Sequence, residues 1–264
     1  MRIVFIFLSG MLLFLCSCQN GVTKKNVPNE TMSKDISFYT SDSIKIFGDL
    51  YQSDKQGAII LLFHQGGSNA RGEYVSIVPK LIEKGFNVLA IDQRMGGQIY
   101  GSYNRTIANI PDNSFDNDYT YCDAYNNLEG ALDFVIESGI SGKKILWGSS
   151  YSASLAIQLA NNRPMDVDGI LAFSPASGGP MQACQPDKYF NTLKVPLLLL
   201  RPPNEMENEN TKKQFDLANS NNHQTYAAKF GIHGSSMLVE ERVGQEVNET
   251  WKVVESFLNE IRNK

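Results

Sequence analysis

Lys144-Ile145-Leu146-Trp147-Gly148-Ser149-Ser150-Tyr151-Ser152-Ala153-Ser154-Leu155-Ala156 carries two hydrophobic patterns joined by a run of small residues. Ile145 to Trp147 is a short apolar run of the strand type. Beyond Tyr151, Leu155, Ile157, Leu159 and Ala160 recur at helical positions. A strand that feeds a helix this abruptly needs a sharp turn, and the residue at its apex is held in a strained conformation. Bulk two residues before or after the apex would strike the neighbouring strand and helix, so those places call for small side chains. Gly148 and Ser152 fill them, which puts Ser150 at the apex.

Outward from this turn, strand and helix patterns alternate. Residues 58–63, 86–91, 167–173 and 195–200 are apolar runs of the kind found in strands buried on both faces. Residues 225–230 read as one more strand, and 36–40 with 44–51 as an opening hairpin. Helical periodicity marks 73–84, 121–138, 210–220 and 248–261, with one helical turn at 187–191. The alternation predicts an α/β fold: a mostly parallel central sheet, helices on both faces and an N-terminal hairpin. Sites in such folds lie beyond the C-terminal ends of the strands. The long polar loop 93–118 is placed at the rim of the site. Its tyrosines and their neighbours, Tyr100, Tyr103, Tyr119, Tyr121 and Tyr125, are candidates to line it.

Composition narrows the function. The 264 residues carry a net charge of −4 with no basic patch, which argues against a nucleic-acid partner. Neither H-E-x-x-H nor paired C-x-x-C occurs, so no metal site is expected. No second core or linker is visible, and residues 35–264 read as one domain.

The N-terminus reads differently. Met1-Arg2 and an apolar run over 3–15 precede Leu15-Cys16-Ser17-Cys18, a run that resembles the bacterial lipobox. The resemblance implies a signal peptide over 1–17, a lipidated Cys18, and a flexible tether over 18–34. It also implies a membrane partner through that lipid and a place in the bacterial cell envelope, facing the periplasm or the exterior. After Cys18 only Cys122 and Cys184 remain, either as one disulfide or as two free thiols.

Several motifs now stand in order: the apex turn Gly148 to Ser152, the loop His64-Gln65-Gly66-Gly67 after an earlier strand, Asp92-Gln93-Arg94-Met95-Gly96-Gly97 after the next, and His233 after the last strand. Together they resemble the α/β-hydrolases of the dienelactone-hydrolase-like kind. The resemblance implies Ser150 as nucleophile and a chain order of serine, acid, histidine. His64 lies too early for the base and is expected to be a buried hydrogen-bonding residue. His223 precedes the last strand, which leaves His233. The acid is expected after strand 195–200, where the turn Arg201 to Glu207 contains no Asp. Glu205 aligns with the acid's place, and Glu207 is the alternative. The oxyanion hole is expected from the N–H of Tyr151 and that of Gly66, with Gln65 as the alternative. The implied activity is hydrolysis of small carboxylic esters through an acyl-enzyme, with no cofactor. A peptidase or acyltransferase on the same triad is the second reading. A non-catalytic binding lipoprotein, suggested by the unusual turn after Arg201, is the third.

Overall fold

Unbroken apolar strands are stable only when both faces are covered. The computed structural model, which describes residues 33–111 and 120–264, shows how they are covered. In chain order the elements are β1 (Lys34–Tyr39), β2 (Lys45–Tyr51), β3 (Ile59–Phe63), α1 (Ala70–Tyr74), α2 (Val78–Glu83) and β4 (Asn87–Asp92). They continue with α3 (Arg105–Ala108), α4 (Tyr125–Glu137), β5 (Lys144–Ser149), α5 (Tyr151–Asn162) and β6 (Gly169–Phe173). The chain closes with β7 (Leu197–Arg201), α6 (Glu209–Ser220), β8 (Gln224–Ala227), α7 (Glu240–Val243) and α8 (Asn248–Asn263).

The eight strands form one sheet in the order β1-β2-β4-β3-β5-β6-β7-β8. The pairs β1/β2 and β2/β4 are antiparallel and all others parallel. Side chains alternate across the sheet. Leu61, Phe63 and Leu146 join the α4 and α5 core, and Ile60, Leu62 and Trp147 join the core beneath α8. Trp147 stacks on Phe173 with ring centroids 4.6 Å apart.

The hairpin, the parallel strands and the last helix lie where the sequence places them; other elements differ for local reasons. The single helix expected over 73–84 is two helices, α1 and α2. Pro79 has no N–H for the carbonyl a turn earlier and sits in the first turn of α2. The helix expected from 121 begins as a 3-10 turn, Tyr121–Ala124, under a capping box of Thr120 and Asp123, before α4 starts. The turn expected at 187–191 comes earlier, as 3-10 segments Gly179–Cys184 and Pro186–Lys188. The last strand is short, and α3 and α7, each of four residues, are too brief for a periodic signal. The expected tether boundary at 34 falls one residue inside β1.

Buried charge secures the long loop. Arg105 of α3 donates to Asp92 at 2.6 Å and to Asp49 at 3.0 Å, and all three side chains are buried. Cys122 and Cys184 form a disulfide between the two 3-10 segments, which closes the question that spacing left open. The signal peptide, Cys18 and nearly all of the expected tether lie outside the described residues, as does Tyr119. Among the described residues no helix is long and apolar enough to cross a membrane.

Candidate active site

β5 runs into α5 through Ser150, whose backbone sits at φ 61° and ψ −122°. That region is costly for a side chain with a Cβ, by about 1–3 kcal/mol. The turn is held by the Ser150 N–H donating to the Phe173 carbonyl (2.8 Å) and by the Ser150 carbonyl accepting from Ala153 (3.0 Å). Gly148 is obligatory: a Cβ there would lie 2.4 Å from the Ala153 Cα. Ser152 fills the other small-residue place of the turn with a hydroxyl that finds partners. It is fully buried; its Oγ donates to the His64 carbonyl at 2.5 Å and accepts from Gln93 Nε2 at 2.9 Å. The hydroxyl thus ties α5 to the ends of β3 and β4.

His64 is buried and fully bonded. Nδ1 donates to the Gln65 carbonyl (2.8 Å) and Nε2 accepts from the Gln93 N–H (2.8 Å). Burial pushes its pKa down, which keeps the ring neutral and structural. The Gln65 N–H donates to Glu73 Oε2 at 2.8 Å, so it is already committed and does not serve as the alternative oxyanion donor. Gly66 faces the cavity beside Ser150. Tyr151 is the first residue of α5, so its N–H has no carbonyl a turn earlier to bond.

Glu205 lies in the 3-10 turn Pro203–Glu207 that follows β7. Its Oε1 accepts from His233 Nδ1 at 2.6 Å, and its Oε2 from Arg201 Nη1 at 2.7 Å. Burial alone would raise this carboxyl, but the His233 hydrogen bond and the Arg201 charge outweigh it and hold the pKa low. Arg201 is itself buried and donates to the Pro175 carbonyl. In this turn without Asp, the carboxylate that meets His233 is held from its other side by Arg201. Glu207 is exposed, and the carboxylate at His233 is that of Glu205.

The His233 loop is fastened to the apex turn by groups that the sequence reading missed. Gly234 N–H donates to Ser174 Oγ (3.0 Å) and Ser235 N–H to Ser149 Oγ (2.9 Å), while Ser235 Oγ accepts from Trp147 Nε1 (2.8 Å). The adjoining run Gly234-Ser235-Ser236 was the available signal. Glu73 was missed as well. It is fully buried, its Oε1 accepts no hydrogen bond among the described residues, and burial pushes its carboxyl up to about 7.

Ser150, His233, Gly66 and Tyr151 line one cavity of about 290 Å³, walled by Tyr121 and Met181. Among the described tyrosines of the loop region, Tyr121 is the one that lines the cavity. Tyr100 stacks beneath Arg242, Tyr103 is exposed, and Tyr125 bonds Glu129 and Asn162. Among the described residues no cluster of His, Cys, Asp or Glu is arranged to hold a metal ion.

No protein-family model matches the sequence, and no curated protein matches it. Solved structures do match its fold. A thermostable carboxyl esterase from Bacillus coagulans is similar with a TM-score of 0.67 at 12% identity, over 87% of this chain and 98% of that one. An esterase from Pyrococcus furiosus is similar with a TM-score of 0.61 at 15% identity, over 87% and 92%. A dienelactone hydrolase from Anabaena variabilis is similar with a TM-score of 0.60 at 17% identity, over 87% and 97%. The sheet order, the antiparallel N-terminal strands and these likenesses together identify the architecture: the chain has the α/β-hydrolase fold.

Proposed function

We propose that this chain is a serine hydrolase of carboxylic esters working through Ser150, His233 and Glu205. The observation that carries the reading is the strained Ser150 sharing one cavity with a histidine whose far nitrogen is held by the partly buried carboxylate of Glu205. A serine hydroxyl is a weak nucleophile at neutral pH and needs an oriented base. Glu205 engages Nδ1, which leaves Nε2 to accept the Ser150 proton as Oγ bonds the ester carbon. The tetrahedral oxyanion collects at the N–H groups of Tyr151 and Gly66, each such donor worth about 3–4 kcal/mol in the transition state. His233 then passes its proton to the leaving alcohol as the C–O bond breaks, and water repeats the sequence in reverse on the acyl-enzyme.

A fluorophosphonate probe tests this directly. The native protein is expected to be labelled, Ser150→Ala to be unlabelled, and Glu205→Gln to react about 10⁴ times more slowly while Glu207→Gln keeps most of the rate. Equal labelling of the native protein and Ser150→Ala refutes the assignment. No labelling of the native protein favours the non-catalytic reading. The peptidase and acyltransferase readings use the same residues; the first differs in the acyl compound cleaved, the second in the acceptor, an alcohol or amine in place of water, that takes the acyl group from Ser150. We also propose that Cys18 carries a lipid that tethers the domain to the bacterial envelope, a reading supported by Leu15-Cys16-Ser17-Cys18 alone.

A further inference from the structure

A second cleft, of about 680 Å³, meets the Ser150 cavity at Ala176, Gly178 and His233. Its lining includes neither Ser150 nor the two candidate oxyanion residues, so the reacting carbonyl has no place in it. It does border His233, the residue that returns a proton to the departing alcohol. The two spaces differ in chemistry. The first is small for a ligand pocket and is walled by Tyr121, Tyr151, Pro180 and Met181. The Cys122–Cys184 disulfide joins the two 3-10 segments, Tyr121–Ala124 and Gly179–Cys184, that carry Tyr121 and Met181 of that wall. The second presents hydroxyl, amide, carboxylate and ammonium groups, among them Ser177, Asp187, Asn210, Thr211 and Lys213. The side chains of Asn210, Thr211 and Lys213 have no partner among the described residues, so their hydrogen-bonding capacity is unspent. An alkyl chain laid there would strip water from these groups and offer nothing in return. An alcohol with several hydroxyls, each both donor and acceptor, replaces that water bond for bond.

We propose that the substrate is a short-acyl ester of a polyhydroxylated alcohol, with the acyl group in the Ser150 cavity and the alcohol in the Asp187–Lys213 cleft. This rests on the hydrolase reading above. The test compares kcat/KM for 6-O-acetylglucose, 1-acetylglycerol, hexyl acetate and 1-octanoylglycerol. At least one of the two polar acetates is expected to exceed hexyl acetate tenfold or more, and which one does so separates a sugar from a glycerol alcohol. 1-Octanoylglycerol is expected to fall at least tenfold below 1-acetylglycerol. Asn210→Leu and Lys213→Leu, surface changes on α6, are expected to lower the ratio of polar acetate to hexyl acetate by threefold or more. A protein that takes up the fluorophosphonate probe yet prefers hexyl acetate, or whose ratio is unmoved by both variants, overturns the proposal alone. A protein that takes up no probe and cleaves no ester overturns the hydrolase reading and the proposal with it.

Discussion

Glu73 is a fully buried carboxyl group, packed below the loop that carries Gln65 and Gly66. Its oxygen Oε2 holds the Gln65 N–H, while burial lifts its pKa from 4.5 to about 7. The folded protein therefore holds this proton more tightly than the unfolded chain does. The stabilisation is complete below about pH 4.5 and is lost as pH rises to about 7, a change on the order of 3 kcal/mol. Glu73→Gln keeps a hydrogen-bond acceptor for Gln65 and removes the titration. Its melting temperature is expected to fall less between pH 5 and pH 8 than that of the native protein, and parallel falls would show that Glu73 does not titrate in this window. Residues at this scale were unevenly legible. Ser150 and His233 announce themselves by element order. Glu205 and Glu207 are separated only by the turn's geometry, which aims one carboxylate at the imidazole and the other at solvent. The Gln65–Glu73 and Ser149–Ser235 bonds join ordinary polar residues across folds of the backbone, and no periodicity reports such a pair.

Elements were read best where one physical demand ruled. The strands β3, β4, β6 and β7 are buried along their whole length, so their apolar runs were unambiguous. The segments 121–124 and 179–188 were harder, because these short 3-10 turns are set by prolines, a capping box and a covalent bond rather than by hydrophobic period. The Cys122–Cys184 bond spans 62 residues. Closing a loop of that length removes enough freedom from the unfolded chain to stabilise the fold by about 4 kcal/mol in the chain-entropy picture. Cys122→Ser with Cys184→Ser is expected to lower the urea midpoint clearly. An unchanged midpoint would show that the unfolded chain gains little freedom from losing this link.

At the scale of the molecule, alternation of strand and helix was enough to give sheet type, layering and the edge where the site lies. It was silent about substrate, which depends on side chains that line clefts between loops. Location is a property of the whole chain, and the proposed lipid anchor makes it depend on Cys18. Under that proposal, a flexible tether of roughly sixteen residues would reach about 20–24 Å, enough for the domain to turn its cavity away from a membrane. Cys18→Ser is expected to shift the protein to the soluble fraction or to leave the leader uncleaved, whereas Cys16→Ser keeps it on membranes. A native N-terminus found unmodified at another residue by mass spectrometry would replace tethering with simple export. The serine fastenings between the His233 loop and β5 bear on how this molecule breathes. The Ser235 amide is bonded to the side chain of Ser149, a residue of a fully covered central strand. Local openings follow cooperative units rather than loop boundaries. The His233 loop is then expected to open together with the sheet, and its Ser235 amide hydrogen to exchange as slowly as those of β5 in a hydrogen-exchange measurement. On that expectation Ser150 and His233 part only when the middle of the protein gives way.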